Sequence, residues 1–325
     1  MREVAFIKQN KEKWLEFEAV IFGKAKKNPD EIAGLYIHLI NDLSYAQTYY
    51  PKSKTVVYLN YLASQIYQRI YKTKRQEKNR VVYFFSEEVP LLMYQYRRYV
   101  LYAFLLFFFC VGLGVLSARY DDNLSRLILG DAYVNKTLEN IKDGNPVAIY
   151  KSGSNWGGFI GITINNLRVG ATCFIMGIFG GLGTFYVLFQ NCLMLGSFQY
   201  FFCQEGVFWE SVQGIWIHGS MEIFAIVIES AAGFVLGASI LFPQTYSRIN
   251  SLKIGFRNSF KIFLSTVPFT IAAGFLEGFV TRYSLEMPNW LNVFIILSTL
   301  SLISFYYLIF PRFVAKKTNV ITKTV

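Results

Sequence analysis

The chain has 325 residues, of which 53% are hydrophobic and 16% are charged, and its mean hydropathy is +0.32. This composition is typical of a protein that crosses a membrane several times. The net charge of +11 also raises the question of nucleic acid binding. The basic residues flank apolar segments, however, which is the arrangement that the positive-inside rule describes. We therefore predict the lipid bilayer as a partner and exclude nucleic acid.

Residues 1–97 are predicted to form a cytoplasmic helical domain. Trp14, Phe17 and Ile21 recur at the spacing of one helix face, and two similar series follow further along this region. Pro29 and Pro51 fall between the three series, where turns are expected. The aromatic side chains of this region are then the core of a small bundle of three amphipathic helices.

Six apolar segments follow, which predict an all-α fold with about six transmembrane helices. They cover about residues 99–117, 169–189, 191–203, 215–242, 260–280 and 290–310. The transmembrane domain is thus 98–312, with one long polar connection at 118–166, and a basic tail occupies 313–325. The third segment is short, so it crosses the membrane tilted or re-enters it from one side. Asn191 is predicted to mark the turn between the second and third segments.

The distribution of basic residues predicts the orientation. The connection after the fourth segment carries Arg248, Lys253 and Arg257 without an acidic residue, and the tail is also basic. Six spans place both on the cytoplasmic side with the N-terminus, whereas five spans would put the basic connection outside. We therefore predict a multi-pass protein of the cell (inner) membrane with both termini in the cytoplasm and the 118–166 connection outside.

Ionisable residues inside the apolar segments are the strongest functional signal. His218, Glu222 and Glu229 fall within about 40° of one another on a helix of 3.6 residues per turn, and Glu277 lies in the next segment. Each carboxylate costs roughly 2.5 kcal/mol or more at membrane depth, so such residues mark a functional site by default. The predicted orientation puts His218, Glu222 and Glu277 in the outer half of the membrane and Glu229 near the middle.

Three interpretations of this intramembrane polar site stay open at this point. The side chains either form hydrogen bonds that stabilise the bundle, or line a pathway for protons, ions or a polar solute, or belong to an assembly interface. An enzyme is a fourth possibility, since a His with nearby Glu residues can chelate a metal or transfer protons. The HExxH pattern is absent, and the four cysteines lie in apolar runs without metal-ligand spacing. We therefore predict no catalytic residues, no metal site and no cofactor.

Small residues recur at helical spacing and predict close helix packing. Three pairs are separated by four positions, namely Gly177 and Gly181, Gly233 and Gly237, and Gly274 and Gly278. This spacing lets helix backbones approach each other closely. This spacing is equally compatible with helix contacts within one chain and with the interface of a homodimer or larger homo-oligomer.

Several short motifs together resemble the stage II sporulation protein M family. The most specific is His-Gly-x-x-Glu at the start of the fourth apolar segment, formed by His218, Gly219 and Glu222. The other matching positions are Asn165, Asn166, Asn191, Gly196, Glu277, Gly278 and Phe279, with Trp14, Tyr36, Asp42, Leu43, Tyr58, Leu59 and Asn60 upstream. The founding member of that family is similar to a membrane scaffold that assembles peptidoglycan-degrading enzymes during engulfment. The resemblance implies a scaffold and does not imply sporulation.

Two functions follow from these observations. The first is a non-enzymatic membrane scaffold that recruits protein partners through its cytoplasmic domain and its outer loop, which the large N-terminal domain favours. The alternative is a transporter or ion-conducting unit built around the buried glutamates, which the three intramembrane carboxylates favour.

Overall fold

A computed structural model describes residues 2–21, 29–71, 79–121, 123–146, 148 and 154–323. All regular elements of the described residues are helical, in agreement with the predicted all-α class. The chain separates into two compact units, Met1–Lys78 and Asn79–Val325, and each is considered by itself below.

The N-terminal unit is built from three helices, α1 (Glu3–Ile21), α2 (Pro29–Tyr49) and α3 (Lys54–Tyr71). Pro29 is the first residue of α2, where a backbone N–H would have no partner within the helix, so the missing N–H of proline costs nothing. Pro51 lies in the turn between α2 and α3. Trp14 on α1 donates its indole N–H to Asp42 on α2 at 2.9 Å. The buried core contains Phe6, Trp14, Phe17, Leu39, Leu43, Ala46, Leu59, Leu62, Ala63 and Ile66.

Residues 79–96 belong to the second unit, although the sequence placed the domain boundary after residue 97. They form α4 (Arg80–Tyr83), a π-type turn and α5 (Val89–Gln95). Lys261 reaches Glu88 at 2.6 Å, and the Tyr306 hydroxyl donates to the carbonyl of Phe85 at 3.0 Å. These long-range contacts attach the segment to the membrane unit, and local periodicity could not reveal them.

Long helices make up the rest of the membrane unit. In chain order they are α6 (Arg97–Tyr120), the short α7 (Leu124–Leu129) and α8 (Asp131–Lys142), α9 (Asn155–Ile175), α10 (Leu182–Gln204), α11 (Phe208–Leu241), α12 (Arg248–Phe275), α13 (Asn289–Ser304) and α14 (Phe310–Lys323). Among the described helices, five are long and apolar enough to cross a membrane: Arg97–Tyr120, Asn155–Phe179, Phe208–Leu241, Arg248–Tyr283 and Asn289–Thr318. The protein is therefore a polytopic helical membrane protein.

The chain reverses direction at Gly180 and Gly181, so the prediction of one span over 169–189 and a turn at Asn191 is wrong. Both glycines have positive φ, +67° and +87°, a conformation that side-chain-bearing residues rarely adopt. Asn191 instead lies inside α10, a helix of 23 residues. At about 1.5 Å per residue, α10 is long enough to span the hydrocarbon core, but its four side-chain amides lower its hydropathy. Helix α10 is therefore a sixth long helix of the unit and is not among the five above.

Helix α11 forms the centre of the membrane unit. It packs against α6, α9, α10, α12 and α13, and about two thirds of its most apolar stretch is buried. A helix that is apolar on all sides is expected to be surrounded by other helices. The consequence for function is that polar side chains on α11 face protein rather than lipid.

The close helix approaches at the predicted glycines occur within one chain. A Cβ atom added at Gly177 would lie 2.2 Å from the carbonyl oxygen of Gly233, and one at Gly237 would lie 2.3 Å from the amide nitrogen of Gly181. On α12, a Cβ at Gly274 would lie 2.2 Å from Oγ1 of Thr163. On the turn after α12, a Cβ at Gly278 would lie 3.0 Å from the Phe159 side chain. These glycines bring α9 and its extension against α11 and α12.

Cysteine labelling tests the predicted orientation. Lys142 is exposed at the end of α8, and Asn250 is exposed in the first turn of α12. In a chain carrying Cys203→Ser, we expect a membrane-impermeant maleimide to label Lys142→Cys in intact cells and Asn250→Cys only after permeabilisation. The expectation follows from the basic residues around Asn250, which belong on the cytoplasmic side. Labelling of Asn250→Cys in intact cells would contradict the orientation with cytoplasmic termini.

Candidate functional site

The structure brings the four ionisable residues predicted from the sequence into one cavity. His218, Glu222 and Glu229 lie on α11, and Glu277 lies on the turn that extends α12. All four line a cavity of about 750 Å³ inside the membrane unit. A concave space of this size with a few convergent polar groups is the usual form of a small-molecule or ion site.

Three of these side chains form a compact cluster, which we call the outer cluster: His218, Glu222 and Glu277. Each offers one ligand atom, and these atoms all lie within 4.8 Å of one another. His218 is 4% exposed, and its Nε2 atom is 3.7 Å from Oε2 of Glu277. The other ring nitrogen, Nδ1, is 2.9 Å from the hydroxyl of Thr281. The imidazole is thus held from the Nδ1 side and faces a carboxylate on the Nε2 side.

A break in helical regularity places Glu277 in the cluster. Residues Leu276–Val280 form a π-type turn after α12, and the short helical turn Thr281–Tyr283 follows. Such turns add a residue to the helical repeat and are frequent at functional sites. Glu277 on the first of these turns and Thr281 on the second both face His218 on α11.

Glu229 lies deeper in the unit and is 3% exposed. Its Oε1 atom is 2.8 Å from the hydroxyl of Thr266, which is also 2.7 Å from the carbonyl oxygen of Phe263. One hydroxyl has one hydrogen, so a protonated Glu229 would allow both contacts to be hydrogen bonds. A Cβ atom added at Gly170 on α9 would lie 2.2 Å from the Glu229 carboxyl, so the glycine makes room for it.

Further polar groups line the same cavity. Asn165 and Asn166 come from α9, Asn191 comes from α10, and the amide of Asn166 is a polar neighbour of Glu222. Tyr133 on α8 lines the cavity at the end where α9 and α11 begin. Among the described lining residues, the charged side chains are Glu222, Glu229, Glu277 and Arg282. The cavity therefore has an excess of carboxyl groups over cationic side chains.

Sequence reasoning did not find the threonines that hold these side chains. Thr266 contacts Glu229, Thr270 lines the cavity, and Thr281 contacts His218. Their positions repeat at helical intervals with Glu277 along one face of α12, and this polar stripe is a signal that the sequence contains. The contributions of Tyr133 and Arg282 depend on how the chain folds back on itself, and no local pattern indicates them.

The arrangement suits the binding of a cation and the movement of protons. Glu222 and Glu229 are seven residues apart on one helix, which separates them by about 10 Å along its axis. Buried carboxyl groups at such intervals, with hydroxyl and amide neighbours, are typical of ion and proton pathways in membrane proteins. The geometry thus defines a helical membrane protein with a carboxylate-lined internal cavity.

Comparison with known proteins assigns the membrane unit to a family. A family model described as stage II sporulation protein M matches residues 103–282. The match covers more than half of the chain, and the chain belongs to this family. A second model, described as a domain of unknown function (DUF8413), matches residues 4–72 in the N-terminal unit. No curated protein and no solved structure matches the chain.

Proposed function

We propose that the membrane unit is a transport or ion-conducting unit in which a cation or proton occupies the internal cavity. The observation that carries this proposal is the cavity itself, which holds three carboxylates inside a bundle of apolar helices. A bundle that needed only stability would not require them, since buried charges rarely stabilise more than apolar side chains of similar volume. The three carboxylates therefore have a functional role that offsets the free energy of burying them.

The path runs from the outer cluster to Glu229. Glu222 belongs to the outer cluster, and Glu229 follows it two helical turns deeper on α11. The contacts of Thr266 with Glu229 accommodate a proton on this carboxyl group. Glu229 is then the residue through which an ion or proton must pass to reach the opposite side of the unit.

Glu229→Gln should lower the flux by at least about tenfold, because it keeps the shape of the side chain and removes its titratable group. Purified full-length protein is reconstituted in liposomes, and proton flux is followed with an internal pH-sensitive dye under imposed Na⁺, K⁺ and pH gradients. Glu139→Gln is the control, since Glu139 lies on α8 with its side chain exposed. Flux of Glu229→Gln equal to wild type, or no wild-type flux above empty liposomes, would contradict the proposal.

The N-terminal unit supports a second function, the non-enzymatic scaffold predicted from the sequence. It is a compact unit separate from the membrane unit, and large apolar side chains are exposed on it, including Val4 at 78% and Val57 at 70%. Such side chains would favour contact with another protein where they form a contiguous patch. The structure shortens the predicted 118–166 connection, because α6 extends to Tyr120 and α9 begins at Asn155. We propose that the N-terminal unit and the connection between α6 and α9 recruit protein partners, including further copies of the chain, at the cell membrane with both termini in the cytoplasm.

A further inference from the structure

We propose that the outer cluster of His218, Glu222 and Glu277 is a binding site for one divalent transition-metal ion. The inference deepens the proposed function and rests on it only in that the metal would occupy the same cavity. Its basis is the composition of the cluster, the distances between the ligand atoms, and the contact that orients the imidazole.

The distances within the cluster are close to those between the ligands of one metal ion. A histidine–carboxylate hydrogen bond needs a separation of about 2.7–3.2 Å, whereas His218 Nε2 and Glu277 Oε2 are 3.7 Å apart. Two ligands of a tetrahedral zinc ion are separated by about 3.4 Å, given bond lengths of about 2.0–2.2 Å. All three ligand atoms of the cluster lie within 4.8 Å of one another, so binding an ion would require the glutamate side chains to move closer to the imidazole.

Thr281 orients the histidine in the way that a metal ligand requires. In the tautomer protonated at Nδ1, the imidazole donates to Thr281 Oγ1 at 2.9 Å and presents the lone pair of Nε2 to the two carboxylates. A partner on the second ring nitrogen is the usual support of a metal-bound histidine. In this tautomer a nitrogen lone pair faces negative oxygens, and a cation between them would make the arrangement favourable.

The charge of the cavity also fits a divalent ion. With the carboxyl groups ionised, the described lining residues carry three negative charges and the positive charge of Arg282. The remaining two negative charges are costly inside an apolar bundle unless they are neutralised. One divalent cation at the outer cluster would balance these two negative charges.

The type of ligands indicates the class of metal. Imidazole nitrogen binds Zn²⁺, Fe²⁺, Co²⁺ and Ni²⁺ well, whereas Mg²⁺ and Ca²⁺ prefer sets made of oxygen alone. Three protein ligands with a cavity on the fourth side match zinc sites that keep an open coordination position. The site therefore selects a first-row transition metal, and Zn²⁺ and Co²⁺ are suitable probes.

Metal binding by the full-length protein tests the proposal. Protein in detergent is stripped of metal with a chelator and titrated with Zn²⁺, and the bound metal per chain is measured by elemental mass spectrometry. In a parallel titration with Co²⁺, the absorption spectrum reports the coordination geometry. We expect about one ion per chain and a tetrahedral Co²⁺ spectrum. His218→Gln, Glu222→Gln and Glu277→Gln should each weaken Zn²⁺ binding by at least about 100-fold, and Thr281→Val by about 10-fold with an altered Co²⁺ spectrum.

Two controls and one replacement variant make the result specific. His38→Gln removes the other histidine of the chain, which is exposed on α2, and Glu139→Gln removes an exposed carboxylate; both should bind Zn²⁺ like wild type. His218→Cys supplies a different ligand, so it should restore binding and add a sulfur-to-cobalt charge-transfer band.

Absence of stoichiometric Zn²⁺ binding to folded wild-type protein, or unchanged binding in the cluster variants, would each overturn the site. The liposome flux measurement separates this outcome from the proposed function. Flux that depends on Glu229 without any metal binding overturns the metal site alone. Metal binding at the outer cluster without flux overturns the transport function alone.

Discussion

Gly233→Ala is expected to lower the unfolding free energy of the membrane unit by about 3 kcal/mol or more, because it forces overlap with backbone atoms that cannot rotate away. The added Cβ would lie 2.5 Å from the carbonyl oxygen of Cys173 and 2.3 Å from the hydroxyl of Thr184. Helix α11 must then move away from α9 and α10, and the Thr184 hydroxyl would lose its 2.7 Å hydrogen bond to the Cys173 carbonyl.

A glycine in an open position provides the matched control. Gly112 on α6 has nothing within 4 Å of an added Cβ, so Gly112→Ala should be neutral or stabilising by up to about 1 kcal/mol. The measurement is thermal unfolding of both variants in the same detergent, together with the yield of monodisperse protein. Equal midpoints for the two alanine variants would mean that α11 does not pack against the backbones of α9 and α10 as described.

Leu59→Ala is expected to destabilise the N-terminal unit by about 2–5 kcal/mol, since it leaves a cavity in a small core. Leu59 on α3 is fully buried among the side chains of α1 and α2. A domain of this size has a free energy of unfolding of only about 5–15 kcal/mol. The N-terminal unit of the variant should therefore unfold far more often. Hydrogen exchange of the full-length protein measures this in peptides from α1, α2 and α3.

Val57→Ala is the control for this variant, because Val57 lies on the same helix and is 70% exposed. It should change stability by no more than about 0.5 kcal/mol. Leu59→Ala also separates the two proposed functions. If the N-terminal unit recruits partners, Leu59→Ala should reduce partner binding while the flux through the cavity stays at the wild-type level. Unchanged exchange in Leu59→Ala would contradict the description of the core.

The fold was predictable wherever apolar periodicity follows one helix. The three N-terminal helices, the helical class and the apolar segments of α6, α11, α12 and α13 come directly from such patterns. The reversal at Gly180 and Gly181 was not predicted, because glycine, phenylalanine and leucine continue the apolar run on both sides of the turn. Only the backbone conformation distinguishes this turn from a helix interior, and hydropathy does not report it.

The candidate site was predictable in part for a similar reason. His218, Glu222, Glu229 and Glu277 stand out because charged residues are rare in apolar segments. The close approach of the three ligand atoms could not be derived from the sequence, since His218 and Glu222 lie on one helix and Glu277 comes from another through an irregular turn. Thr281 illustrates the remaining gap: a threonine in an apolar segment is unremarkable until its contact with the His218 ring is seen.

The tight reversal between α9 and α10 has a consequence for how this protein enters its membrane. The turn of two glycines provides no hydrophilic loop that could remain in water if one helix inserted into the membrane before the other. Helix α10 carries Gln190, Asn191 and Gln199, which make its separate insertion from the translocon unfavourable. We therefore expect α9 and α10 to partition into lipid together as a hairpin, and α11, which follows them in the chain, packs against both.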